Sequence, residues 1–317
     1  MEVRLEGIVR RSSSLTGATT TGSLVHAPLT LYLAGKLPDA LSLAQEVLDG
    51  ARRSGEGSAL IYALSHYGLA LAANGLYTHA AATFDEACKF ARSSGAFPLL
   101  ARATAMAAGW RLDVFDFRTA EALQCEAREI ASEAAFVPSQ ASAGIDLLLT
   151  CARRGNPGEA EPLLREVEGA VAKARGWHEW LFRLRLEQAR AELALARADS
   201  SAAITHATSA LQQSRTVARG KYEAAALAVR AQGLQASGRT REAMRDATSA
   251  CDTARRVGDP ALQVRILAAL LPIIGDDKLL HELRATVDKV LAALPPKTRQ
   301  VFEEVPLVHS ALMGRSL

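Results

Sequence analysis

The sequence predicts an all-α protein, a right-handed α-α superhelical solenoid of about seven helix-turn-helix repeats with a period near 40 residues. Three observations carry this. Alanine supplies 62 of the 317 residues, and alanine loses no side-chain entropy on entering a helix. It also recurs in register, at Ala40, Ala80, Ala120, Ala160, Ala203 and Ala243, in steps of 40, 40, 40, 43 and 40. Five residues ahead of each lies a turn column, Gly35, Gly75, Phe115, Gly155, Ala198 and Gly238, and a further column closes the units at Gly55, Gly95, Gly176, Gly220 and Gly258. Glycine is the low-cost residue just past a helix end, so two such columns per period define two helices per repeat.

Residues 1–27 fit no row, and their Ser, Thr and Gly content predicts a flexible N-terminal segment. The repeat domain spans 28–294, and 295–317 form a capping helix (Thr298 to Glu304) and tail. The first helix, squeezed between Ala27 and Gly35, is shorter than its equivalents, as expected where an upstream domain has been lost. Such an uncapped repeat exposes apolar surface, which suits self-association or docking there. In the second repeat, helix A runs from Ser58 to Asn74 with Ile61, Leu64, Tyr67, Gly68 and Leu71 on one stripe. Helix B follows from Tyr77 to Arg92, packing through Ala80, Phe84, Ala87 and Ala91. The third and fourth repeats open after Phe97-Pro98 and Val137-Pro138, since proline suits a helix's first turn. The seventh follows Asp259-Pro260, turns at Gly275-Asp276-Asp277 and ends at Leu294-Pro295-Pro296. A helix pair cannot bury its apolar face alone, so the units lean on one another in an open coil with one concave surface.

Leu64, Tyr67, Gly68, Gly75, Ala80, Phe84 and Ala87 fall at the consensus spacings of the tetratricopeptide repeat, and the chain resembles an array of that family. It departs in length, about 40 residues against the familiar 34, which helices of about 17 residues absorb. Stretched units of this kind resemble the C-terminal helical arrays of bacterial signalling ATPases, namely LuxR-type ATP-dependent regulators and ATPase-linked adenylate or guanylate cyclases. The segment from Gly176 to Asp199 and the ending from Ala293 to Pro306 carry that likeness. The resemblance implies a non-catalytic protein- or peptide-binding module, the sensor or scaffold of a larger or split regulator. The alternative is a receptor for a small molecule or signalling peptide whose coil changes curvature on binding.

Composition narrows the function further. No apolar run of about 18 residues predicts a membrane span, the net charge is only +3, and no concentrated basic stripe points to direct contact with nucleic acid. Cys88, Cys125, Cys151 and Cys251 form no CxxC pair, which suits reduced thiols and a cytoplasmic location. Neither a GxxxxGK[ST] phosphate loop nor GxGxxG, HExxH or GxSxG occurs, and the seven histidines have no metal-ligand spacing, so no catalytic residue, cofactor or metal is expected. Cys88 and Cys251 occupy equivalent helix B positions and Trp110 and Phe115 sit at helix contacts; all four read as core.

The expected binding face is the helix A side that lines the concave surface. Projecting the repeat register places Tyr62, Ser65 and Leu69 there from the second unit, Arg102 and Ala105 from the third, and Ser142 and Ile145 from the fourth. Gln232 and Gln235 follow from the sixth and Arg265 from the seventh. The fifth unit is longer, and its helix A carries Trp180, Arg183, Glu187 and Arg190 at helical spacing, with Trp177 one turn earlier. Two tryptophans beside arginines form either a cation–π anchor for a partner or a brace within the repeat.

Overall fold

The computed structural model describes residues 24–176 and 179–313, and among these there are sixteen α-helices and no strand. The expected flexible segment lies outside the described residues except at Leu24–Ala27, where Val25 is already buried. The first repeat pairs α1 (Ala27–Leu33) with α2 (Leu37–Ser54), the second α3 (Gly57–Ala73) with α4 (Tyr77–Ser93), and the third α5 (Phe97–Asp113) with α6 (Phe117–Glu133). The fourth pairs α7 (Val137–Arg153) with α8 (Ala160–Lys173), after a short 3-10 turn at Pro157–Glu159. The fifth pairs α9 (Glu179–Ala196) with α10 (Ser200–Thr216), and the sixth α11 (Gly220–Ala236) with α12 (Thr240–Val257). The seventh pairs α13 (Pro260–Ile274) with α14 (Asp277–Ala293), and α15 (Pro296–Glu303) and α16 (Pro306–Met313) close the array. The odd-numbered helices from α1 to α13 are therefore the A helices. No helix among the described residues is long and apolar enough to cross a membrane.

The periodic columns are structural. All six register alanines, Ala40, Ala80, Ala120, Ala160, Ala203 and Ala243, are 0% exposed. A methyl group is all the helix crossing accommodates, and interiors packed this closely resist added volume. The same economy holds at Gly68, where an added Cβ would lie 3.0 Å from the Phe84 ring. Every member of the turn column has positive φ, including Phe115 at 60° and Ala198 at 58°. Behind these two strained residues stand Asp116 and Asp199, which cap the next helix by accepting from Thr119 N (3.3 Å) and Ala202 N (2.9 Å). The closing column needs one correction: Gly220 is the first residue of α11, and the left-handed turn before it falls on Ala218, φ 53°. Gly220 is small because Val257 packs onto it, a Cβ there falling 2.9 Å from Val257 Cγ2.

The coil is not open. A Cβ on Gly75, in the turn before α4, would lie 3.2 Å from Pro260 at the start of α13. Thr78 Oγ1 donates to Ala293 O at 3.0 Å, and Arg111 donates to Thr298 Oγ1. The rings of Phe115 and Phe302 lie 5.9 Å apart. The second and third repeats thus touch the seventh repeat and α15. Each stacked pair adds a small rotation, and seven of them bring the last units round to face the first. The capping element is also longer than expected, two helices in place of one, with Phe302 and Val308 both 0% exposed.

Two outcomes follow for stability. Ala160→Trp should overpack the crossing and lower unfolding free energy by about 1–3 kcal/mol or more, read from denaturant midpoints; unchanged melting would remove the alanine column from the packed interface. Ala198→Gly should raise stability by up to about 1 kcal/mol, because a left-handed alanine costs about 1–2 kcal/mol and glycine returns part of that as chain entropy. A lower midpoint in that variant would show that the turn is unstrained.

Candidate ligand cavity

Helix A of each repeat faces the axis, and closure leaves an axial cavity of 190 Å³. Its wall follows the forty-residue rhythm. Arg102, Ser142, Arg185, Ala225 and Arg265 hold one register position in five successive A helices, with the 43-residue step falling between Ser142 and Arg185, and all five line the cavity. At another position stand Pro138, Leu181, Lys221 and Ala261. Leu29, Tyr32 and Leu33 of α1 contribute to the wall, with Met106 and Trp110 from α5.

The lining is charged to a degree a helical core does not need. Lys221 Nζ lies 2.7 Å from Asp113 and 3.3 Å from Asp259. This group spans the axis, joining α11 to the end of α5 and the start of α13. Burial pulls the Lys221 ammonium toward neutrality, but Asp113 and Asp259 outweigh it and hold its pKa well above the usual value. Asp113 is depressed because Lys221 and Arg265 overcome the burial that would raise it. Asp259 is raised, by burial and then by the charge of Asp113, even though Lys221 opposes both.

Arg153 grips Glu192 in bidentate fashion at 2.7 and 3.1 Å, and Arg265 reaches the same carboxylate at 3.6 Å. Gln188 Nε2 donates to Glu192 at 3.0 Å. Burial favours the protonated acid at Glu192, and the two guanidinium groups overrule it and lower the pKa. Arg185 donates to Asp146 at 2.6 Å and to Ser142 Oγ at 2.8 Å. Replacing buried ion pairs by apolar side chains is often neutral or stabilising, so stability alone does not account for this wall.

Arg102 differs from the other four cations. No carboxylate among the described residues pairs with it. Its guanidinium lies 5.3 Å from the centroid of the Tyr62 ring, and Nη2 is 3.4 Å from His66 Nε2. His66 Nδ1 sits 2.7 Å from Val25 O. A carbonyl only accepts, so the proton is on Nδ1 and the Nε2 lone pair faces Arg102. Burial and then the Arg102 charge keep the His66 pKa well below its usual value, so the ring is neutral. The edge of His26 packs on Tyr62 at 4.8 Å.

Of the residues expected to bind, Arg102 and Arg265 line the cavity, and Tyr62 stands behind Arg102. Ala105, Leu69 and Ser142 also line it, whereas Ile145 is fully buried. Ser65 is buried and donates to Ile61 O of its own helix at 2.7 Å. Gln232 donates to Ala228 O at 3.2 Å, and Gln235 is exposed; neither reaches the cavity. Trp177 lies outside the described residues. Trp180, Arg183, Glu187 and Arg190 line a shallow depression together with Ser209 and Gln213 of α10. Arg190 bridges Glu187 and Glu168 at 2.5 Å each, Glu187 meets His206 at 3.0 Å, Arg183 pairs with Glu179, and Arg219 lies over Trp180 at 4.9 Å. These contacts brace the longer fifth repeat. The projection missed Asp113, Asp146, Arg153, Arg185, Glu192, Lys221 and Asp259. Carrying the Arg102–Ser142 column forward by the longer step leads to Arg185, two residues past Arg183.

An array of stacked helix pairs of this kind is a helical-repeat solenoid of tetratricopeptide type, the class the second repeat's consensus residues resemble. No protein-family model matches the chain, and no curated protein matches it. Solved structures share the fold. One is a Signal Transduction ATPase with Numerous Domains (STAND) protein with a tetratricopeptide repeat sensor from Pyrococcus horikoshii, at TM-score 0.52 and 12% identity. The match covers 93% of this chain and 45% of that protein. Another is a Rap protein complexed with Competence and Sporulation Factor, at TM-score 0.50 and 10% identity, covering 94% of this chain and 96% of that one. At these identities the likeness is one of fold.

The His66 contact has a measurable signature. A histidine whose folded pKa is depressed binds fewer protons folded than unfolded, so its contribution is present above the unfolded value of about 6.5 and is lost as pH falls below it. Stability should therefore decline between pH 7.5 and 5.5, and less steeply in His66→Gln. Parallel pH profiles in urea titrations of the two proteins would show that His66 is not held neutral.

Proposed function

We propose that the chain is a non-catalytic sensing module of a signal-transduction system and that its ligand occupies the axial cavity. The observation that carries this is the charged wall: cations and carboxylates from α5, α7, α9, α11 and α13 converge on one axial space. Concave sites with a few converging polar groups in a largely apolar lining are the usual form of small-ligand sites. The sensor role draws support from the neighbours in fold, one of which is a tetratricopeptide repeat sensor of a signalling ATPase and another a Rap protein in complex with a factor.

The broader expectation was a protein or peptide lying along an open groove. The narrowness of the axial cavity favours the alternative of a small molecule or the end of a peptide chain, because about 190 Å³ holds little more. The groups present also speak against catalysis. None of the four thiols lines the cavity, and burial pushes all of them above the usual cysteine value. Ser142 Oγ accepts from Arg185, a permanent cation that cannot serve as its base.

Gly109 provides the test. It lines the cavity, and a Cβ there meets nothing within 4 Å. Gly109→Leu should fold at least as well as the parent, since leucine is the better helix former by about 1 kcal/mol, while filling the cavity. In a thermal-shift screen of metabolites and short peptides, true ligands raise the parent's Tm in proportion to log concentration. Those shifts should vanish in Gly109→Leu. Ligands that stabilise both proteins equally would place binding elsewhere and overturn the assignment.

A further inference from the structure

We propose that the cavity's ligand is a small amphipathic organic anion whose carboxylate is received by Arg102, an inference that rests on the axial cavity being the binding site.

The argument begins with charge. Arg102, Arg153, Arg185, Lys221 and Arg265 line the cavity. Arg185 is neutralised by Asp146, Lys221 by Asp113 with Asp259 beside it, and Arg153 and Arg265 share Glu192. Arg102 alone faces only neutral groups, the His66 lone pair and the Tyr62 ring. Its Nε finds no hydrogen-bond partner among the described residues, and neither does Nε of Arg265. Arg153 and Arg265 share one carboxylate while Lys221 has two, so those groups balance and the unmatched positive charge of the wall is that of Arg102. A guanidinium taken from water without a counter-ion is strongly disfavoured, and a carboxylate is the partner whose geometry matches its fork.

Arg102 is also held ready. His66 Nδ1–H is committed to Val25 O, which turns the Nε2 acceptor toward Arg102 Nη2, and Tyr62 backs the guanidinium plane. One side of the fork is anchored by protein, leaving the rest for a ligand.

The remainder of the wall sets the ligand's body. Leu29, Leu69, Met106, Trp110 and Leu181 are apolar and line the same space. An engineered cavity of about 150 Å³ takes up benzene, so 190 Å³ suits a ring or branched alkyl group with a short acid arm. The C-terminus of a peptide ending in a bulky apolar residue offers the same chemistry.

The test compares acids with their neutral isosteres on the full chain by titration calorimetry at pH 7.5 and constant ionic strength. One pair is phenylacetate and phenylacetamide, and the other is N-acetyl-leucyl-phenylalanine and its C-terminal amide. Each acid that binds should do so about tenfold or more tightly than its amide, as expected for loss of a charged hydrogen bond. Arg102→Gln should weaken the acid by a similar factor and leave the amide unchanged, with Arg102→Lys between. Tighter binding of phenylacetate would identify a free small acid, and tighter binding of the dipeptide acid a chain end. The acid–amide comparison needs no variant and stands if Arg102→Gln fails to fold. Equal affinity of acid and amide overturns the proposal, as does an acid unaffected by Arg102→Gln or failure of all four probes to bind. If that equal binding disappears in Gly109→Leu, only the anion assignment has failed; if it survives there, the cavity itself is not the site.

Discussion

Everything in this molecule depends on how closely two helices approach at the alanine crossings. A methyl group at each of six equivalent positions sets nearly the same spacing between successive repeats, and equal spacing means equal rotation from each unit to the next. Six such steps bring the array round until Pro260 meets Gly75 and Thr298 meets Arg111. The cavity is therefore a product of repeat geometry rather than of any one repeat. Larger side chains at the crossings would alter the pitch, and the inner walls would no longer face one another.

Closure changes what the inner residues experience. On an open concave surface, Lys221, Arg185 and Arg153 would be solvated and their ion pairs worth little. Enclosed, each must find a partner, and the partners come from other repeats: Asp113 from the third for a lysine in the sixth, Glu192 from the fifth for arginines in the fourth and seventh. The network ties distant parts of the chain together, so it sets the register in which the coil closes as well as the chemistry of the cavity. Arg102 stands outside that network, since it satisfies no carboxylate and its contacts are with His66 and Tyr62 of the adjacent repeat.

Much of the fold was legible because it repeats. The alanine and turn columns are local rules stated six times, and single departures such as Phe115 and Ala198 are recognisable against the rest, especially with a capping aspartate behind each. The site was legible only where the register held. Arg102, Ser142 and Arg265 followed from counting, but the 43-residue step moved the inner stripe of α9 from Arg183 to Arg185, and the conspicuous tryptophan–arginine pattern lies on a face of that helix away from the cavity. Closure itself was not legible, because it depends on contacts such as Thr78 with Ala293 that no local pattern encodes. Asp113 and Asp259 were missed for the same reason: an aspartate at a helix end reads as solvated until another repeat is known to stand opposite; Asp146 lies in the middle of α7 and was missed with its partner Arg185.

The position of Arg102 bears on how a binding event would be transmitted. α5 carries Arg102 near its start and Arg111 and Asp113 at its end, separated by about 14–17 Å of continuous helix at 1.5 Å per residue. The last two residues make the cross-axis contacts to Thr298 and Lys221. A ligand shifts a conformational equilibrium only by its difference in affinity for the two states. A carboxylate held by Arg102 with its apolar body against Leu181 of α9 and Leu29 of α1 would touch walls that separate when the coil loosens. It would therefore bind the closed form better, and the same rigid helix would carry that preference to the contacts that hold the ring shut. On that reading, the degree of closure is what binding at Arg102 would bias.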